Sequence, residues 1–166
     1  MLMQKNLVDI ALTLAHYLRD NSNVKDFCQS QFSKELTIYV GELLRKSIPT
    51  SDNAPYVVIC ELAKTEGTND IVSYSTNLFV GVAVEANTIV EESTNVKMYD
   101  GVDVLANFMN LLQIELNKRS NYQRPISVVK TSILGAIDPN GKHWVGNIEL
   151  KWNMQQTINL STEEEF

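Results

Sequence analysis

A chain of 166 residues, 44% hydrophobic and 20% charged, favours one folded domain and excludes disorder along its whole length. The formal net charge is −6, and no apolar run approaches the ~18 residues that a helical membrane span needs. The charge is unevenly placed: residues 1–60 balance to zero, residues 61–103 sum to −6, residues 104–160 to +3, and Glu163, Glu164 and Glu165 add −3.

This layout argues against wrapping around nucleic acid, because phosphate neutralisation needs clustered Lys and Arg. The acidic middle suits a surface that meets a basic partner or repels a polyanion; a solvated acidic loop is the plainer alternative. Cys28 and Cys60 have no CxxC spacing and are too few for a disulfide framework, so reduced thiols are expected. Cys60 ends the apolar run Tyr56-Val57-Val58-Ile59-Cys60 and reads as a small buried hydrophobe. Met1 to Lys5 lead into an amphipathic pattern rather than an apolar block, so no leader peptide is expected.

In chain order, Leu7, Ile10, Ala11, Leu14 and Leu18 repeat at helical spacing and predict a helix over about 4–20. Asp20-Asn21-Ser22-Asn23 ends it, since these side chains compete for the backbone and favour turns. Residues 24–35 show no clear period, with Phe27 and Phe32 as apolar anchors. Leu36 to Val40 is β-rich and predicts a strand; residues 47–55 form a loop with two prolines. Strands are expected from Tyr56 to about Leu62 and from about Ile71 to Glu85, separated by a turn-rich break at 65–70. Gly81 and Ala83 leave room for a helix or another backbone to approach. Ala86 to Tyr99 reads as a long acidic loop.

Val102, Leu105, Phe108, Met109, Leu112 and Leu116 draw one continuous apolar stripe, the mark of a helix that packs on a sheet. Asp100 suits its cap, and Lys118 and Arg119 suit its negative end. A strand from Ile126 to Ile137 follows, with Val129, Thr131, Ile133 and Ile137 in phase. The turn Asp138-Pro139-Asn140-Gly141 joins it to a long strand over 143–154. There Trp144, Gly146, Ile148, Leu150, Trp152 and Met154 share one face, and Val145, Asn147, Glu149, Lys151 and Asn153 share the other. The sum is a single α+β domain over 1–160: a largely antiparallel β-sheet, two main helices packed on one face, a C-terminal β-hairpin, and an acidic tail at 161–166.

Chemistry-bearing motifs are sparse. His16 and His143 have no second ligand at a metal-binding spacing, and each reads as a satisfied or exposed histidine. There is no GxSxG elbow, HExxH, EF-hand loop or phosphate-binding loop, and nothing local activates either thiol. Trp144 and Trp152 share a face but stand about 26 Å apart along a strand, too far for one aromatic binding platform.

An N-terminal helix, then Asn53-Ala54-Pro55-Tyr56-Val57-Val58-Ile59, then a strand from Tyr74 to Val82, the helix Gly101–Lys118, and a closing hairpin with Trp144-x-Gly146-x-Ile148-x-Leu150-x-Trp152 make a recognisable order. Over about residues 53–154 it resembles the tail terminator, or tail completion, proteins of long-tailed bacteriophages and phage-tail-like particles. Residues 22–48 lie outside the resemblance. It implies a non-enzymatic virion protein that forms a ring, typically a hexamer, on the last ring of tail tube subunits. Docking of that ring stops tube polymerisation and provides the joint to the head.

The implied partners are the tail tube protein, the sheath in contractile tails, and head–tail connector proteins. No cofactor, metal, membrane or specific nucleic-acid binding is implied. The location is the virion tail or tail-like particle, after synthesis in the bacterial cytoplasm. On this reading Glu66, Asp70, Glu91 and Glu92 line a lumen that repels DNA, and Asn147, Glu149 and Lys151 face a neighbour or the lumen. The alternative is a non-enzymatic small ligand- or peptide-binding module, in which that last face meets only water.

Overall fold

The computed structural model of the protein describes residues 6–41, 49–66, 71–85, 88–118 and 127–155. The first apolar repeat folds as α1 (Leu7–Asp20), opened by the Asn6 side chain, which accepts from the Asp9 N–H at 2.8 Å. Asn21 then serves two helices. It closes α1 and caps α2 (Ser22–Phe32), its side-chain oxygen accepting from the Val24 N–H. The stretch without a clear sequence period is therefore a helix. Its anchors converge on one ring: Phe27 stacks on Phe108 at 5.6 Å, and Phe32 meets it edge-on at 5.9 Å.

Among the described residues seven strands follow: β1 (Thr37–Val40), β2 (Tyr56–Glu66), β3 (Ile71–Ala83), β4 (Ile89–Ser93), β5 (Val96–Tyr99), β6 (Ser127–Ala136) and β7 (His143–Gln155). Five make one sheet in the order β1-β2-β3-β7-β6, with β1 parallel to β2 and every other pair antiparallel. The helix α3 (Asp100–Leu116) precedes β6. The α+β class and the largely antiparallel sheet are thus as expected, with one parallel edge pair.

The core lies between the helices and one face of the sheet. Leu14 and Leu18 of α1, Leu105, Phe108 and Leu112 of α3, and Val57, Ile59, Leu78, Val80, Ile148 and Leu150 of the strands form one buried cluster. Among the described residues the other face carries no α-helix. It holds a small cluster of Ala54, Tyr56 and Val58 at one end and polar side chains elsewhere.

Several expectations need correction. β2 runs on to Glu66 instead of ending near Leu62, because a bulge between Cys60 and Ala63, with Glu61 at φ 52°, resets its register. Asp100 is the first helical residue of α3, not its cap; the cap position is Tyr99, without a side-chain bond. The Asp100 carboxylate thus stands in the first turn, where the helix dipole favours it. Residues 89–99 form a hairpin rather than a loop: β4 and β5 pair antiparallel around Asn95, whose φ of 64° suits a tight turn. β6 has two bulges, at Val129 and Leu134, so Val129, Thr131, Ile133 and Ile137 do not alternate in phase. Gly81 admits a ring rather than a helix: an added Cβ would lie 2.1 Å from Tyr56. Part of the expected turn at 65–70, Arg119 and the acidic tail lie outside the described residues.

Candidate assembly surfaces

The structure divides the candidate residues among three places. Asn147, Glu149 and Lys151 lie on the helix-free face of β7, opposite Phe79, Asn77 and Ser75 of β3. That face is polar here, and the Asn77 side-chain amide donates to the Glu61 carboxylate across it. Glu66 lies at the far end of β2, where the bulge has turned it to the helix side beside Val72; it pairs with Lys64 at 3.2 Å. Glu91 and Glu92 stand on the β4–β5 hairpin, which follows the other end of β3. Asp70 lies outside the described residues.

β3 spans 13 residues, about 40 Å of extended chain, so Glu66 and the Glu91/Glu92 pair mark opposite ends of the sheet. The acidic middle of the sequence is therefore two acidic regions in space.

The hairpin projects from the domain. All five residues of β4 are exposed, and β5 is held through Tyr99, whose ring meets Trp144 at 6.0 Å. Beside its root an open cleft of about 500 Å³ is lined by Gln31, Phe32, Glu85, Asp100, Asp103 and Asn107 among others. Its carboxylates give it an acidic rim. Among the described residues no group of three or more His, Cys, Asp or Glu is placed to hold a metal ion.

Two buried polar constellations stiffen this frame, and the sequence singled out neither. The Glu115 carboxylate, on the apolar side of α3, accepts from Asn21 at 2.8 Å, Asn23 at 3.0 Å and Lys118 at 2.6 Å. Its backbone carbonyl accepts from the Tyr17 hydroxyl at 2.6 Å. Burial pushes this carboxyl up, but the bonds from Lys118, Asn21 and Asn23 outweigh it, and its pKa lies below the ordinary value. A Glu one residue before Leu116 and three after Leu112, within an apolar stripe, was the available signal.

On the other face the Tyr56 hydroxyl and His143 Nε2 lie 2.8 Å apart and buried. Burial raises the Tyr56 pKa; it lowers that of His143, against a weaker opposite pull from Asp138. Both groups are neutral at pH 7. Cys28 is fully buried in the core, and burial pushes its thiol up to about 12, which leaves it unreactive as a nucleophile.

The two outer strands of the sheet are unlike. β1 is short, four residues. β6 is long and exposes Val129, Ile133 and Leu134 at 56%, 45% and 58%. No protein-family profile and no curated protein matches the chain.

Proposed function

We propose that the protein is a non-enzymatic structural subunit that assembles as a ring on the end of a tail tube, stops its growth and provides the joint to the head, the role of a tail terminator. The observation that supports this reading most is the pair of unlike sheet edges, neither paired with a further strand among the described residues, beside an exposed hairpin. An uncovered edge offers unpaired backbone groups to another chain. Unlike surfaces on one subunit favour head-to-tail contacts, which make a ring where the rotation between copies closes. The helix-free polar face with Asn147, Glu149 and Lys151 then borders a neighbour or the lumen.

The acidic middle contributes at two levels of such a ring, because Glu66 and the hairpin lie at opposite ends of β3. A DNA-repelling lining draws on the carboxylates that face inward at each level. Particles produced without this protein test the reading: overlong tail tubes are expected, and tails of normal length and head-joining competence overturn it.

A second reading rests on the acidic cleft between α2, the start of α3 and the end of β3. It would seat a short basic peptide in a monomeric binding module. Saturable binding of such peptides, lost on Asp103→Asn and accompanied by normal tails in particles lacking the protein, would favour it.

A further inference from the structure

We propose that Asn140 is a self-modifying residue: it loses its side-chain amide spontaneously to the backbone nitrogen of Gly141, and the isoaspartyl link that results frees Trp144 and loosens the root of α3. The chemistry is internal to one chain and does not depend on whether copies form a ring.

Asn140-Gly141 is the one Asn-Gly step in the sequence. Glycine matters there because a following side chain would shield the attacking nitrogen, and glycine has none. Asn140 is exposed in the turn between β6 and β7, and its side chain makes no hydrogen bond among the described residues. Asn6, Asn21 and Asn53 differ: a backbone N–H holds the side-chain oxygen of each. The Gly141 N–H donates to the Asp138 carbonyl at 3.3 Å, longer than an ordinary N–H···O bond. Gly141 is itself buried, so attack waits on brief openings of the turn, and that long bond resists them weakly.

The Gly141 nitrogen gives up its proton through water and bonds to Asn140 Cγ. The Cγ–Nδ2 bond breaks, and the amide leaves as ammonia with a proton returned by water. A five-membered succinimide remains, which a water molecule opens at either carbonyl. Opening at one restores the ordinary backbone, now with a carboxylate side chain. Opening at the other, the more frequent course, routes the backbone through Cβ and Cγ. The chain is then one carbon longer, and the α-carboxylate becomes the side group.

The two products differ in what they do to the fold. The Asp138 side-chain oxygen accepts from the Lys142 and His143 N–H groups, both at 2.9 Å, and fixes the chain after the turn. The Gly141 carbonyl accepts from the Trp144 indole at 2.8 Å. An extra backbone carbon just before the Gly141 nitrogen displaces that carbonyl against those fixed bonds, and the indole loses its acceptor. Trp144 supports Gly101 at the start of α3 and meets the Tyr99 ring at the end of β5. Loosening therefore passes from the turn to α3 and the hairpin. The ordinary aspartyl link adds charge without lengthening the backbone and leaves Trp144 in place.

The test ages the full chain in mildly alkaline buffer. It is followed by peptide mass mapping, enzymatic methylation of isoaspartyl groups and NMR of the Trp144 and Trp152 indole N–H groups. Asn140 should gain one mass unit about tenfold faster than any other asparagine, equivalent to a barrier lower by about 1.4 kcal/mol. The methylated fraction should grow with it, and the Trp144 resonance should shift while that of Trp152 stays. Asn140→Gln, whose longer side chain closes an imide ring far more slowly, should keep its starting spectrum through the same ageing. Freshly purified Asn140→Asp should show the Trp144 resonance of the unaged protein. The proposed chemistry is overturned if Asn140 is intact once a free peptide of residues 136–143 has converted, or if another asparagine reacts as fast. Isoaspartyl formation that leaves Trp144 unmoved, or the same shift in aged Asn140→Gln or fresh Asn140→Asp, overturns the proposed consequence.

Discussion

Two buried polar groups make residue-scale predictions with opposite places in the fold and separate pH windows. Glu115 has a folded pKa below its ordinary value of 4.5, so its contribution is present above that value and lost as pH falls through the folded pKa. Glu115→Gln keeps the shape but weakens the bonds from Lys118 and the two asparagines. It should cost about 1–3 kcal/mol at pH 7, and its melting temperature should fall less than that of the wild type between pH 7 and about pH 2. Thermal melts across that range check both statements. His143 also has a folded pKa below its ordinary value, 6.5, so its contribution is full above pH 6.5 and fades as pH falls below it. Its imidazole NMR resonances should titrate with a midpoint below 6.5, and Tyr56→Phe, which leaves Nε2 without its partner, should cost about 1–3 kcal/mol. The sequence placed His143 beside a turn and no more. Its burial comes from Tyr56, 87 positions away, lying across Gly81, and no local pattern announces such a contact.

At the scale of elements, the most legible ones had a strong period and packed on a single partner. α1 and α3 follow their apolar stripes, and β7 keeps Ile148, Leu150 and Trp152 on its buried face with Asn147, Glu149 and Lys151 on the other. α2 was not legible, because its signals are shared: Asn21 is read as the end of one helix while it begins the next, and Phe27 and Phe32 pack on a ring in α3. Asn21→Ala removes a cap and a bond to Glu115 together, and should cost about 2 kcal/mol. That is a fall of roughly 4–8 °C in melting temperature for a domain of this size, measurable by calorimetry. Gly101 sits where α3 rests on Trp144; an added Cβ would stand 2.0 Å from the indole nitrogen, which donates to the Gly141 carbonyl at 2.8 Å. Gly101→Ala should therefore destabilise by about 1–3 kcal/mol by overpacking, with the loss of near-ultraviolet Trp signal as its signature. The β4–β5 hairpin escaped sequence reading for a different reason. Its apolar residues, Ile89-Val90 and Val96-x-Met98, are split by the polar run Glu91 to Asn95, and that run suggests a loop.

For the whole molecule, one core joins both ends of the chain's described part: α1 packs on β1 and β2, while α3 packs on β3, β6 and β7. Unfolding should be a single cooperative transition, with coincident fluorescence and circular dichroism curves; two resolved steps would show separable units. The fold class was legible because a sheet needs one covered face and the two stripes supply the cover. The parallel β1–β2 pair was not, since strand direction depends on the course of residues 41–55 rather than on either strand's sequence. The candidate surface was least legible. Charge summed along 61–103 suggested one patch, but β3 carries the chain some 40 Å between its two acidic ends. That separation gives the subunit two structurally distinct poles, one carried by the hairpin and one by the end of β2. Copies related by rotation about one axis all point the same way, so the proposed ring has an acidic hairpin level and an opposite level that cannot be interchanged. Such a ring is directional: turned over, it presents the wrong pole to each neighbour, and a growing tube can accept it in one orientation only.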